Sequence, residues 1–149
     1  MTDYYFEDFT PGLVVECDPF VLSEQEIIEF AEKYDAQYFH TDKQRASDHP
    51  VFQGLSAPGF QLASLAWGLA VRTGRFDACA MAGLGVDELQ WPLPVRPGDE
   101  LRCKFEVLEV RASESKNDRG IIIVRYEIFN QSNAKVFTMK MTQMLARRP

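Results

Sequence analysis

Apolar and polar positions follow two regimes along the chain: helical spacing up to Gly74, and alternation with a period of two from Val86 onward. In the second regime Leu101, Cys103, Phe105 and Val107 alternate with Arg102, Lys104 and Glu106. Ile121 to Phe129 and Val136 to Leu145 form two further long runs rich in β-branched and aromatic residues. The charged stretch Ser113 to Gly120 and the polar stretch Asn130 to Ala134 separate these runs as hairpin tips, so the C-terminal half reads as an antiparallel meander.

The first regime opens with Pro11-Gly12 followed by Leu13-Val14-Val15, an entry loop and a short strand. Ser23-Glu24-Gln25-Glu26 has the pattern of a capping box, in which the Ser hydroxyl and the Glu carboxylate satisfy each other's backbone donors. Ile27, Ile28, Ala31 and Tyr34 follow at helical spacing, which predicts a helix from about Glu24 to Tyr34. A second helix is predicted from Pro58, suited to a first turn, through Gly59 to Val71, with Gly74 as its stop. That helix is apolar on nearly every face, which predicts burial all round.

Between the two helices, residues 35–55 carry no sustained period and read as a long polar loop. A loop of that length is uncommon in a small domain unless it is functional, and Tyr38, Phe39, Val51 and Phe52 within it argue for order. The element order is therefore strand, helix, loop, apolar helix and several antiparallel strands. This predicts an α+β fold in which a curved antiparallel sheet wraps a central buried helix, with a sandwich carrying its helices on one sheet face as the alternative.

Composition narrows the function. A chain of 149 residues with 46% hydrophobic and 26% charged residues suits a single domain spanning 1–149. The formal net charge of −6 counts against nucleic acid as the main partner, because phosphate binding calls for a basic face. The acidic, aromatic start MTDYYFEDF lacks the marks of a signal peptide, and the longest apolar stretch, around Phe60 to Val71, is too short for a bilayer. A cytoplasmic location with no membrane partner is the expectation. Cys17, Cys79 and Cys103 form no CxxC or Cys/His pattern, so neither a disulfide framework nor a metal site is expected. No glycine-rich phosphate loop is present, and no cofactor is expected.

Both histidines of the chain, His40 and His49, lie in the 35–55 segment, with Asp35, Asp42 and Asp48. On a continuous helix the five-residue spacing of Asp35 and His40 would set their side chains about 140° apart. If the first helix ends near Asp35 and the chain turns through residues 36–39, both can enter one cleft. An acid and a histidine there form a pair able to handle one water molecule. A second candidate is Gly54-Leu55-Ser56-Ala57-Pro58-Gly59, which leads into a helix start whose unpaired N–H groups suit an oxyanion, with Gly59 permitting close approach of a ligand. Ser56 and Ser64 lie outside any G-x-S-x-G pattern, so serine hydrolysis is not supported. His49 before Pro50 reads as a loop or surface histidine, Phe60 and Trp67 as core, and Arg96 beside Pro97-Gly98-Asp99 as a turn residue.

The segment Asp35-Ala36-Gln37-Tyr38-Phe39-His40-Thr41-Asp42 resembles the hydratase motif of the MaoC-like dehydratases, the family that includes (R)-specific enoyl-CoA hydratases. Gly54 to Leu65 is similar to that family's approach to its central helix, and Leu93-Pro94-Val95-Arg96-Pro97-Gly98-Asp99-Glu100-Leu101 to its strand-turn-strand segment. The resemblance implies a hotdog fold, a homodimer or higher homo-oligomer, and reversible syn hydration of a 2-enoyl thioester carried on coenzyme A or an acyl carrier protein. It assigns the catalytic work to Asp35, His40 and the Gly59 N–H, and places Gln37, Ser56 and Pro58 against the substrate. Where that family commonly carries Asn-Pro, this chain has Gln37-Tyr38. Two rivals stand beside it: a non-catalytic acyl-thioester-binding protein, and a hotdog thioesterase. The second is disfavoured by the absence of Asp or Glu between Pro58 and Arg72.

Overall fold

The computed structural model describes residues 2–149. Two short strands, β1 (Val14–Glu16) and β2 (Phe20–Val21), come first. Helix α1 (Glu24–Tyr34) follows, with the Ser23 side chain accepting the Glu26 N–H. The Glu26 carboxylate accepts from the Ser23 hydroxyl. Ile27 and Ala31 are the fully buried positions of α1, one helical turn apart, so burial follows the amphipathic stripe.

The segment expected as a loop carries two single-turn helices, α2 (Tyr38–Thr41) and α3 (Lys43–Ala46). They escape a periodicity search because one turn cannot display a repeat. Asp42 joins them, ending the first and accepting the Arg45 N–H with its side chain at 3.0 Å to begin the second.

Helix α4 (Gly59–Val71) is then followed by four long strands: β3 (Ala80–Gln90), β4 (Glu100–Ala112), β5 (Arg119–Phe129) and β6 (Lys135–Ala146). All pairings are antiparallel and the main sheet runs β1-β4-β5-β6-β3, with β2 also pairing β4. The expected alternation holds in β4, where Leu101, Cys103, Phe105 and Val107 are fully buried. Their partners on β5, Val124, Tyr126 and Ile128, are buried too. On this concave face lies α4, whose Leu62, Ala66, Leu69 and Ala70 complete the core. Each large apolar side chain buried there contributes roughly 1.5–3 kcal/mol relative to exposure. None of the helices among the described residues is long and apolar enough to cross a membrane.

Two expectations are corrected. First, α4 is not buried all round: Phe60, Ser64 and Val71 lie on an exposed flank. A single sheet wraps only one side of a helix, so apolarity on every face leaves one side uncovered within one chain. Second, the strand expected from Val86 begins at Ala80. Its Ala and Gly residues have poor strand propensity, and the pairing of Ala80 to Asp87 with β6 overrides it.

Candidate active site

The first helix stops where the site requires. The Asp35 N–H donates to the Ala31 carbonyl at 2.8 Å as the last helical bond, and Asp35 then leaves helical geometry at φ −157°, ψ 69°. Gln37 is extended before the chain re-enters a helical turn at Tyr38. This break redirects the chain so that His40 Nε2 lies 3.5 Å from Asp35 Oδ2. The histidine side chain is 7% exposed and the aspartate 24%, so the pair sits at the inner end of an opening rather than on the surface.

Each member is held by a further partner. Gln37 Nε2 donates to Asp35 Oδ1 at 2.7 Å, leaving Oδ2 toward the histidine. His40 Nδ1 lies 2.6 Å from the Ser56 carbonyl oxygen, which can only accept. Nδ1 therefore carries the proton, and in the neutral ring Nε2 is the free acceptor. The Ser56 N–H donates in turn to the Phe39 carbonyl at 3.1 Å, tying the two segments together.

Asp35, Gln37, His40 and Gly59 all line one cleft of about 550 Å³. Its walls are apolar, with Phe39, Phe52, Leu62 and Trp91 among them. Pro58 caps α4 without a side-chain bond, and Gln61 N–H and Leu62 N–H are the first helical donors to find a backbone acceptor, the Pro58 carbonyl. The amides of Gly59 and Phe60 have no backbone acceptor among the described residues and are the helix-start donors available to an anionic oxygen.

The structure revises several readings. Ser56 and Pro58 do not line the cleft. Ser56 is 1% exposed and works from beneath, through the carbonyl that holds His40, while Pro58 is buried at the helix cap. The space that glycine leaves at position 59 is filled by an indole: a Cβ there would stand 2.2 Å from Trp91 Cε2. Phe60, read as core, is 64% exposed and packs edge-on against Trp91, with ring centroids 5.4 Å apart. Trp67 does pack in the core, against Phe76 and Tyr126. His49 is a loop residue whose Nδ1 accepts from the Val51 and Phe52 N–H groups at 3.1 and 3.0 Å. Leu93 and Pro94, read as part of a strand-turn-strand segment, have no strand structure and form a cleft wall with Trp91 and Pro92, two residues the sequence reading did not single out.

The family model described as MaoC like domain matches residues 8–125. The protein YdeM of Bacillus subtilis is 31% identical over 141 residues, covering 95% of this chain and 98% of its own. The crystal structure of the MaoC-like dehydratase from Rhodospirillum rubrum superposes with a TM-score of 0.89 at 31% identity, over 97% of this chain and 98% of that one. The (R)-hydratase from A. caviae involved in PHA biosynthesis superposes with a TM-score of 0.74 at 25% identity, over 96% of this chain and 99% of that one. With its sheet wrapped around α4 in the hotdog manner and a family match spanning most of its length, the chain belongs to the MaoC-like dehydratase family.

Proposed function

We propose that the protein is a hydro-lyase that reversibly adds water across the double bond of a 2-enoyl thioester. The observation that carries this reading is the 3.5 Å approach of His40 Nε2 and Asp35 Oδ2 in the cleft shared with Gly59. A water oxygen about 2.8 Å from each would form a triangle over that pair, held for attack from one side.

His40 Nε2, made the acceptor by the Ser56 carbonyl, takes a proton from this water as its oxygen bonds to C3 of the enoyl group. The C2–C3 π electrons move toward the thioester carbonyl, whose developing oxyanion is met by the Gly59 N–H at the start of α4. The imidazolium then returns the proton to C2, so H and OH add to the same face and the atoms of one water are accounted for. Asp35 orients the water through Oδ2 and stabilises the imidazolium, while Gln37 keeps the carboxylate turned. The apolar wall suits an acyl chain, with coenzyme A or an acyl carrier protein as the carrier.

The unpaired edge of β3 and the exposed Leu84 and Val86 on it support a homodimer built edge to edge. The decisive assay is hydration of a short trans-2-enoyl-CoA by purified protein, followed as loss of the conjugated enone absorbance. Turnover supports the hydro-lyase. Saturable binding without turnover assigns the chain to the acyl-thioester binders, and release of free thiol to the thioesterases.

A further inference from the structure

We infer that Arg96, which does not itself line the cleft, is the positioning residue that sets His40 for proton transfer. The inference rests on the hydro-lyase reading for its kinetic part and stands on the structure for the rest. Arg96 Nη1 donates to the Gly54 carbonyl at 3.0 Å and to the Leu55 carbonyl at 3.2 Å, and Nη2 donates to the Phe52 carbonyl. None of these carbonyls receives a backbone N–H among the described residues. The segment they belong to has no regular structure, and Gln53 within it sits at φ 52°, a backbone state uncommon for a residue other than glycine. One guanidinium fork therefore gathers acceptors that no helix or sheet would satisfy.

Position follows from what lies on either side of Ser56. Leu55 before it is held by the Arg96 side chain, and the Ala57 N–H after it donates to the Val95 carbonyl at 2.9 Å. Adjacent residues on the connection leading into β4 thus grip the backbone on both sides of the carbonyl that accepts from His40 Nδ1. That connection is itself rigid. Asp99 Oδ2 accepts the Arg96 N–H at 2.8 Å, Asp99 Oδ1 accepts from Gln131, and the Gly98 N–H donates to the Leu22 carbonyl at 2.8 Å. Among the described residues no carboxylate pairs with the Arg96 guanidinium, so its fork is committed to the loop. If the fork is removed, the Ser56 carbonyl loses its fixed place. The Nδ1–H tautomer of His40 loses its anchor with it, and Nε2 is no longer held as the free acceptor.

The test compares Arg96→Met and Arg96→Lys with the wild type by steady-state kinetics on a short trans-2-enoyl-CoA and by nitrogen NMR of the His40 ring. The expected wild-type spectrum is a single Nδ1–H tautomer. In Arg96→Met, kcat falls on the order of 10- to 100-fold with KM little changed, as for a misplaced catalytic group. The His40 signals move toward a mixture of tautomers in protein that remains folded by circular dichroism. Arg96→Lys, with one donor head in place of a fork, recovers part of kcat and part of the tautomer preference, and decides the matter alone if the Met variant does not fold. Unchanged His40 signals in a folded variant overturn the inference, as does a loss of activity that follows only the unfolded fraction. An inactive wild type would count against the hydro-lyase reading and leave the tautomer measurement as the judge of Arg96.

Discussion

The Ser56 carbonyl oxygen lies 2.6 Å from His40 Nδ1, and this single contact decides which imidazole nitrogen faces Asp35. A carbonyl has no proton to give, so the ring must donate there and present Nε2 toward the carboxylate. The proposed role of Nε2 as the proton acceptor, which spacing in the sequence leaves open, starts from that orientation.

His40→Gln removes the nitrogen proposed to cycle a proton, and Asp35→Asn removes the charge proposed to steady it. Each substitution is expected to lower kcat by roughly 10²–10⁴-fold. Far-ultraviolet circular dichroism and melting curves should stay close to wild type. Turnover at the wild-type rate in both variants would remove these residues from the mechanism.

Gly59→Ala places a methyl group 2.2 Å from the nearest indole atom of Trp91, too close for any rotamer adjustment of an alanine to relieve. Because Trp91 is 45% exposed and its indole must swing aside, the expected cost in stability is about 1 kcal/mol, below that of an overpacked core, together with loss of hydration. Trp91→Ala in the same chain should recover the stability, because it empties the space that the methyl needs. Equal melting temperatures for wild type and Gly59→Ala would show that the indole yields freely.

Leu84 is 53% exposed on β3, which has a paired neighbour on one side only. Leu84→Lys puts a charge on this edge, the device by which natural sheets prevent edge pairing. Light scattering should find the wild type at twice the 17.0 kDa chain mass and the variant at the chain mass. A wild type that runs as a monomer at micromolar concentration would refute the edge-to-edge dimer.

Glu7 near the N-terminus joins the C-terminal end of the chain, accepting from Arg147 Nε at 2.8 Å and from the Arg148 N–H at 3.0 Å. The Arg147 contact is the main reason its carboxyl is held down at about 2 from an ordinary 4.5. A carboxyl with a depressed folded-state pKa stabilises the fold above its unfolded value, and that stability is lost as pH falls from about 4.5 toward 2. Urea unfolding should show Glu7→Gln less stable than wild type at about pH 7, with the gap closing on acidification. Because the pair is partly exposed, the gap should be small and should shrink with added salt. A gap independent of pH would assign the effect to packing.

Much of the scaffold is legible locally. The alternation of Leu101, Cys103, Phe105 and Val107 marks a half-buried strand, and the Ser23 cap marks the start of α1, because both patterns arise from neighbours within a few residues. The Asp35 and His40 motif belongs to the same class of signal, which is why resemblance could name the pair before geometry joined it. The Ala- and Gly-rich half of β3 is illegible for the opposite reason: its strand state comes from the backbone of β6, not from its own side chains.

The sequence by itself determined the α+β order, the runs of β4, β5 and β6, the two longer helices and the identity of the paired acid and histidine. Tertiary structure alone decided that the turn after Asp35 brings His40 Nε2 back to 3.5 Å from Asp35 Oδ2, and that the Ser56 carbonyl meets His40 Nδ1. It also decided that Trp91 fills the space above Gly59 and that Arg96 reaches the loop 42 residues before it. Each of these depends on which distant segments share a place. Packing of the whole core decides that, whereas periodicity reports only whether a position faces inward.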